Sequence, residues 1–103
     1  MKTRVVVFAP EARVDLLQLH DWLANAASPA IALKYVERLE TYCDGFRTAG
    51  ELGHRRDDLR PGLRIVGFEK RITIALAADD ERVTILRLFY GGRNWETILA
   101  DKE

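Results

Sequence analysis

Residues 63–90 read LRIVGFEKRITIALAADDERVTILRLFY, and this segment sets the architecture of the whole chain. It holds three short apolar runs rich in β-branched residues, separated by polar links of hairpin length. In the middle run the side chains alternate between two faces, as they do in a strand. We therefore expect an antiparallel meander of three strands, at 63–68, 71–77 and 83–90, ended by Gly91-Gly92.

The segment before this meander shows the periodicity of two helices. The first is expected from Pro10 to about Asn25, because its apolar residues recur three or four positions apart. Ser28-Pro29 is typical of a second helix start, since serine caps a helix and proline fits its first position. That helix is expected to end near Gly50, and the short link makes the two helices pack as an antiparallel hairpin. The expected apolar positions are Ala12, Leu16, Leu19 and Leu23, with Trp22 beside them, and then Ile31, Tyr35, Leu39, Tyr42 and Phe46.

Shorter signals complete the predicted order of elements. Thr3 to Phe8 is typical of a first strand buried on both faces, Glu51 to Gly62 of a polar loop, and Asn94 of the cap of a short terminal helix. The order β-α-α-β-β-β-α predicts the α+β class, with the helical hairpin packed on a small, mainly antiparallel sheet as a two-layer sandwich. Residues 1–103 leave room for a single domain.

The composition narrows the classes of function. Lys plus Arg equals Asp plus Glu at 16 each, whereas a protein that binds along a phosphate backbone usually carries a basic excess. The apolar run from Val5 to Ala9 is too short for a signal-peptide core or a membrane span. The lone cysteine, Cys43, cannot form a disulfide within the chain. These features predict a cytoplasmic protein and disfavour bulk nucleic-acid binding.

Enzyme motifs are missing from the sequence. It contains neither a glycine-rich phosphate loop nor a paired Cys/His metal pattern, so no cofactor and no metal are expected. His20 falls near the border of the apolar face of the first helix. His54 lies in the polar loop, where a solvated side chain is favoured over a catalytic base. Cys43 is expected to be a small buried residue.

Arginines are frequent on the predicted sheet. Arg64, Arg71, Arg87 and Arg93 lie on or beside its strands, and Arg60 precedes the first of them. Together they could form a docking surface for an acidic partner or a phosphate, with solvated surface charge as the alternative. For Arg87 alone an ion pair or an exit to solvent is favoured, because an unpaired buried charge is costly. The strand pattern places Arg87 on one face with Val83, Ile85 and Phe89.

An apolar stripe of Trp95, Ile98 and Leu99 runs along the predicted terminal helix. Core packing explains it most simply. The alternative is that a partner peptide lies on these three residues.

Several short motifs follow one another in a fixed order along the chain. They begin with Phe8-Ala9-Pro10-Glu11-Ala12, Asp15-Leu16, Leu19 and Trp22-Leu23, and continue with Ser28-Pro29, Ala32, Tyr35 and Leu39. Glu51-Leu52-Gly53, residues 57–64 (DDLRPGLR) and residues 85–94 (ILRLFYGGRN) complete the set. In this combination the chain resembles the ParE branch of the ParE/RelE toxin superfamily over nearly its whole length. The element order derived above is also that of the family.

The resemblance implies the toxin of a bacterial type II toxin–antitoxin system. Members are neutralised by an antitoxin whose C-terminal segment wraps along the toxin, so a ParD-like antitoxin is expected in a hetero-oligomer. Trp95, Ile98 and Leu99 are then the expected antitoxin contacts. ParE toxins are associated with plasmid stabilisation and with poisoning DNA gyrase, whereas RelE toxins cut messenger RNA on the ribosome.

Particular residues separate the two branches. RelE-type nucleases resemble one another in basic sheet residues and a C-terminal aromatic hydroxyl, which orient the 2′-hydroxyl and stabilise charge at the scissile phosphate. In this chain Val66 replaces one basic residue and Leu99 replaces the tyrosine, although Tyr90 could substitute for it. The positions that match the nuclease pattern are Arg64, Arg71 and Arg93.

Three hypotheses follow from the sequence. The leading one is a non-nucleolytic ParE-like toxin that binds gyrase. The second is a metal-independent, ribosome-dependent endoribonuclease, and the third is an antitoxin-binding remnant without toxicity. For the first hypothesis, the expected target-binding residues are Arg60, Arg64, Arg71, Arg87 and Arg93.

Overall fold

The computed structural model describes residues 3–49, 53–90 and 95–100. Its elements confirm the predicted α+β class and order, with one short strand added inside the segment that was predicted to be a loop. The extra strand pairs through its backbone, and its exposed side chains leave no apolar pattern in the sequence. The elements are β1 (Val5–Phe8), α1 (Pro10–Ala26), α2 (Pro29–Asp44), a 3-10 turn (Gly45–Arg47), β2 (His54–Arg55), β3 (Leu63–Phe68), β4 (Ile72–Ala78), β5 (Arg82–Tyr90) and α3 (Trp95–Ala100).

The strands form one sheet in the order β1-β5-β4-β3-β2. β1 pairs with β5 in parallel, and the other neighbours are antiparallel. α1 and α2 cover one face of this sheet, since the apolar side of a helical hairpin must be buried against another layer. In β4, Ile72, Ile74 and Leu76 point into the core under these helices and Ala75 points to the other face. The predicted alternation in this strand is confirmed.

The start of α2 is confirmed and its end is corrected. The Ser28 hydroxyl accepts a hydrogen bond from the backbone N–H of Ile31 at 3.1 Å, as a helix cap does. The helix ends at Asp44 rather than near Gly50, because the chain tightens there into the 3-10 turn that buries Phe46. Among the described residues, no helix is both long enough and apolar enough to cross a membrane.

The buried face of α2 differs from the predicted row of large apolar residues. Ile31 and Tyr42 are 54% and 37% exposed, so their predicted burial is wrong. Ala32 and Cys43 are fully buried instead. Small side chains at these positions let α2 pack closely, and such residues give a weaker hydrophobic signal than isoleucine or tyrosine.

β1 is shorter and more exposed than predicted. It begins at Val5 rather than Thr3, and Val5 is 61% exposed. The strand lies at the edge of the sheet and pairs only with β5, so its apolar run is not buried on both faces. A short apolar run does not distinguish an edge strand from a central one.

A second, smaller apolar cluster lies on the sheet face opposite α1 and α2. Trp95 and Ile98 of α3 are half-buried against it, and Leu99 is 1% exposed within it. The core-packing explanation of this stripe is therefore confirmed, and Leu99 offers almost no free surface to a partner. The buried members of the cluster are Leu63, Ile65, Ala75, Phe89 and Leu99.

β5 contains a bulge that changes the direction of its side chains. Positions 75 and 76 of β4 pair with positions 87 and 85 of β5, which leaves Leu86 without an opposite residue. Side chains before the bulge enter the core under the helices, whereas Phe89 after it enters the second cluster. The prediction that Arg87 shares a face with Val83 and Ile85 is therefore wrong. Its Phe89 part is confirmed, because the Arg87 guanidinium lies 5.0 Å from the centroid of the Phe89 ring.

Asp15 of α1 joins the helical layer to β5 beyond the end of β1. Its carboxylate accepts a hydrogen bond from the backbone N–H of Leu88 at 2.9 Å. It also accepts hydrogen bonds from Nε and Nη2 of Arg87 at 2.8 and 3.1 Å, which raise the pKa of the Arg87 guanidinium. Asp15 is 2% exposed, so this is a buried anion with three donors. The ion pair favoured for Arg87 is confirmed.

We predict that Asp15→Asn lowers the free energy of unfolding by about 2–3 kcal/mol, because it removes the anion and leaves the partly buried Arg87 without its counter-charge. Chemical denaturation followed by circular dichroism measures this change. Asp21→Asn is the matched control, since Asp21 lies on the same helix with its side chain 77% exposed. Equal stability of the two variants would contradict the prediction.

Gly53 holds a backbone conformation that favours glycine, just before β2. Its φ is +85°, and a Cβ at this position would overlap the carbonyl oxygen of Ile65 and a methyl group of Val66. Both obstacles belong to β3, so β2 can lie beside β3 only if position 53 has no side chain.

We predict that Gly53→Ala destabilises the protein by about 2 kcal/mol or more, because it combines left-handed backbone strain with a clash against β3. Gly67→Ala is the control, because a Cβ at Gly67 has nothing within 4 Å and its φ is not positive. Thermal unfolding of the two variants tests the difference, and an unchanged midpoint for Gly53→Ala would contradict it.

Candidate functional site

The hairpin turn between β3 and β4 projects two cations from one end of the sheet. Glu69 and Lys70 have positive φ values of 53° and 59°. The N–H of Arg71 donates to the carbonyl oxygen of Phe68 at 3.0 Å, which closes a type I′ turn. The side chains of Lys70 and Arg71 are both exposed.

An ion pair holds this turn against α2. Arg38 donates from Nε and Nη2 to the two carboxylate oxygens of Glu69 at 3.1 and 3.0 Å. This hydrogen-bonded pair lowers the pKa of Glu69 and raises that of Arg38. The Arg38 guanidinium also lies over the Tyr35 ring, 4.9 Å from its centroid. The turn therefore has a fixed position beside the helical layer.

An aromatic cleft opens between the C-terminal half of α1 and this turn. Its volume is about 270 Å³. The ring centroids of Trp22 and Tyr90 are 5.6 Å apart with an interplanar angle of 38°, and Trp22 is 51% exposed. The cleft is lined by the aromatic residues Trp22, Tyr35 and Tyr90, the aliphatic residues Leu19, Leu23 and Ile72, and the cations Lys70 and Arg71.

Tyr35 is the deepest aromatic residue of this cleft. It is 8% exposed and packs edge-on against Phe68, with the ring centroids 5.8 Å apart. Burial raises the pKa of its hydroxyl, which keeps the group neutral at physiological pH. Within the described part of the chain, this hydroxyl has no hydrogen-bond partner.

A second cleft, of about 320 Å³, adjoins the first. We call it the sheet-end cleft. It shares Lys70, Arg71, Ile72 and Tyr90 with the aromatic cleft. The two cations therefore stand between two clefts with aromatic walls. The residues that line only the sheet-end cleft are Gly67, Thr73, Phe89 and Trp95.

The structure brings together two of the predicted site residues and separates a third. Arg71 and Tyr90 line both clefts. Arg64 of β3 lies opposite Leu76 of β4. Leu76 is five residues after Arg71, which places Arg64 about 16 Å from Arg71 along the strand direction, at 3.3 Å per residue. Arg93 lies outside the described residues.

Two other predicted target-binding arginines have partners inside the molecule. Arg87 binds Asp15, as described above. Arg60 donates from Nε to the backbone carbonyl oxygen of Leu99 at 3.2 Å and so holds the end of α3. Both interactions give these arginines a structural role.

A neighbouring arginine that sequence reasoning did not single out also holds α3. Arg56 donates to Asp58 at 2.9 and 2.8 Å and to Glu96 at 2.6 Å, and these hydrogen bonds raise its pKa. Its guanidinium lies 5.5 Å from the centroid of the Trp95 ring. Arg56 lies in the polar loop predicted from Glu51 to Gly62. The sequence does not indicate its role in holding α3, because its partner Glu96 is 40 residues away.

Trp22, Tyr35 and Lys70 were also missed as site residues. Trp22 and Tyr35 both follow the ordinary apolar spacing of a helix. Their neighbours in the sequence do not indicate that Trp22 is half-exposed beside the end of β5. Lys70 belongs to a two-residue link without the asparagine or glycine that usually marks a type I′ turn.

Two positions that would complete a nuclease set are buried. Val66 is 7% exposed in the core under the helices, and Leu99 is 1% exposed in the second cluster. Neither side chain faces the clefts that contain Arg71 and Tyr90.

The histidines lie apart from these clefts. His54 is exposed on β2, and His20 Nδ1 lies 3.3 Å from a carboxylate oxygen of Asp21 on the same helix. Within residues 3–49, 53–90 and 95–100, no three His, Cys, Asp or Glu side chains cluster as metal ligands would.

Cys43 is fully buried, and this burial raises the pKa of its thiol to about 12. We predict that native protein at pH 8 resists labelling by a maleimide, whereas unfolded protein takes up one label per chain. Mass spectrometry after a timed reaction measures this difference. Rapid and complete labelling of the native protein would contradict it.

Comparisons with known proteins agree with this architecture. The family model described as the ParE toxin of the type II toxin–antitoxin system parDE matches residues 6–95. A search of curated proteins gives no match. A structure of the chromosomal ParDE toxin–antitoxin system from P. aeruginosa aligns with a TM-score of 0.75 and 20% identity, over 85% of this chain and 96% of that one. A structure of the RelBE2 toxin–antitoxin complex from Mycobacterium tuberculosis aligns with a TM-score of 0.58 and 22% identity, over 90% of this chain and 97% of that one.

Proposed function

Because this chain belongs to the ParE toxin family of type II toxin–antitoxin systems, we propose that it acts by binding DNA gyrase and does not itself cut nucleic acid. Gyrase acts on cytoplasmic DNA, so the proposal places the toxin in the cytoplasm. A ParD-like antitoxin would neutralise it there in a hetero-oligomer. The observation that carries the non-nucleolytic mechanism is the separation of Arg64 from Arg71 and Tyr90, together with buried apolar residues at two positions of the nuclease pattern.

The geometry of these residues supports binding over cleavage. A nuclease must hold its cations and its proton-transfer group around one phosphate, within hydrogen-bond reach. Arg64 lies about 16 Å along the strand from Arg71, a separation that spans several residues of a strand. The substituted positions Val66 and Leu99 are buried in two different apolar clusters. Arg64 is therefore distant from the pair formed by Arg71 and Tyr90, and Val66 and Leu99 supply no group that could bind a phosphate.

The exposed cations at the sheet end are the proposed contact with the target. Arg71 and Lys70 project from a turn that the Arg38–Glu69 pair holds in place. Cations on a rigid turn suit the recognition of an acidic protein surface, because little backbone freedom is lost on binding. Arg64 would extend this surface along β3.

An antitoxin partner is supported by the similar structures, which come from a ParDE system and a RelBE2 complex. Leu99 is buried against the sheet, whereas Trp95 and Ile98 are half-buried. An antitoxin that binds α3 without displacing it from the sheet would therefore contact Trp95 and Ile98 more readily than Leu99.

We predict that antitoxin-free protein, made by cell-free synthesis, inhibits DNA supercoiling by gyrase and traps cleaved plasmid. Agarose gels run after detergent and protease treatment separate trapped cleavage from simple inhibition. Arg71→Glu is expected to raise the inhibitory concentration about tenfold, because it reverses a charge at the proposed contact. Lys34→Glu, an equal charge change at an exposed position of α2, should leave it unchanged.

Unaffected gyrase in the presence of folded protein would refute this function.

A second candidate, the ribosome-dependent endoribonuclease, is favoured by one observation: Arg71 and Tyr90 line the same clefts. Transcript cuts in translating extracts that disappear with Arg71→Ala and Tyr90→Phe would establish the endoribonuclease in its place.

A further inference from the structure

The aromatic cleft combines exposed apolar surface with a local excess of positive charge. Trp22 leaves half of its surface in solvent at the cleft, although burial of such a ring is strongly favourable. Partly exposed tryptophan and tyrosine beside arginine are the residue types that most often anchor protein interfaces. A partner that covers the exposed part of the Trp22 ring would therefore gain binding free energy from its burial.

The charge of the cleft selects the sign of its occupant. Lys70 and Arg71 line it, and none of its lining residues is acidic. The nearest acid of the turn, Glu69, is held by Arg38 in a two-point hydrogen-bonded pair. Glu69 also interacts electrostatically with Arg71, but the three cations Arg38, Lys70 and Arg71 outnumber this one carboxylate, so the charge at the cleft favours a carboxylate or another anion.

The size of the cleft limits what can enter it. At about 270 Å³ it falls slightly below the range of roughly 300–1,000 Å³ that is usual for pockets holding whole small molecules or cofactors. One bulky side chain fits such a volume. An apolar cleft of this size beside two cations suits an aromatic side chain whose neighbour along the chain is acidic.

We infer that the aromatic cleft docks one aromatic side chain of a partner protein segment, with an adjacent Asp or Glu of that segment bound by Lys70 and Arg71. The aromatic ring would pack against Trp22 and Tyr90, whose own rings are already in contact. The inference rests on the part of the proposed function in which a protein partner holds the toxin, and it is independent of gyrase being the target.

A nucleic-acid strand could also present a ring and an anion, but the molecule as a whole favours a peptide. The chain has equal numbers of acidic and basic residues and lacks the basic excess typical of phosphate-backbone binding. The peptide is therefore the occupant we propose, and binding of single-stranded RNA is an outcome that would overturn the proposal.

A random peptide library displayed on phage, selected against the immobilised full chain, tests the inference even while the partner is unidentified. The expected result is enrichment of peptides with an aromatic residue next to Asp or Glu. Enrichment of peptides without this pair, or of none, would overturn the proposal. The best enriched peptide is then labelled with fluorescein, and its affinity is measured by fluorescence polarisation.

The affinity of the peptide for variants of the cleft tests whether the peptide binds there. Trp22→Ala should weaken binding at least about tenfold, as expected for a truncated interface anchor, whereas Trp22→Phe should retain most of the affinity. Leu17→Ala is the matched control, because Leu17 is 66% exposed on the same helix and does not line the cleft. Arg71→Glu should also weaken binding, with Lys34→Glu as its control. Equal affinities across these variants, all shown to be folded by circular dichroism, would overturn the inference.

Two further measurements separate this inference from its alternatives. A single-stranded RNA that displaces the labelled peptide, and whose own binding falls with Trp22→Ala, would assign the cleft to nucleic acid instead. The gyrase assay is scored independently of peptide binding. Peptide binding with unaffected gyrase would refute only the gyrase target, and gyrase inhibition without any bound peptide would refute only the docking cleft.

Discussion

The carboxylate of Asp15 is the interaction on which the two layers of this protein depend. β1 covers only the first half of β5, and beyond its end the carboxylate accepts the Leu88 N–H that would otherwise be left without a partner at the strand edge. The same group neutralises Arg87. One side chain therefore completes the sheet edge, satisfies a partly buried cation and fixes the helix over the strand. A buried anion with three donors has few alternative arrangements, so it specifies the packing of α1 as well as stabilising it.

The bulge in β5 divides the side chains of that strand between two separate apolar clusters. Val83 and Ile85 before Leu86 and Leu88 after it belong to the core under the helices, whereas Phe89 belongs to the smaller cluster under α3. The end of β5 thus contacts both layers, and Tyr90 becomes a wall common to both clefts. The proposed binding region lies where the sheet ends and neither layer covers it fully. Strand ends beside a tight turn combine rigid backbone with exposed side chains, which is a frequent setting for binding sites.

Most of the fold could be predicted from the sequence, because its signals are local. β3 matches its predicted bounds since Gly62 and the polar Glu69 limit its apolar run, and α2 begins at Pro29 because Ser28 caps it. The buried face of α2, the bulge and the cleft could not be predicted, because each depends on residues far apart in the chain. The contact of Trp22 with the end of β5 is the clearest example: neither its helical spacing nor its neighbours in the sequence indicate what lies opposite it.

The parallel pairing of β1 with β5 has a consequence for the synthesis of the protein. β1 is translated before the other strands but pairs only with β5, the last strand of the sheet. Asp15 likewise binds Arg87, which lies 72 residues further along the chain. β1 and the carboxylate of Asp15 therefore stay without these partners until β5 has been translated. A chain cut before β5 therefore cannot make the contact that joins α1 to the sheet.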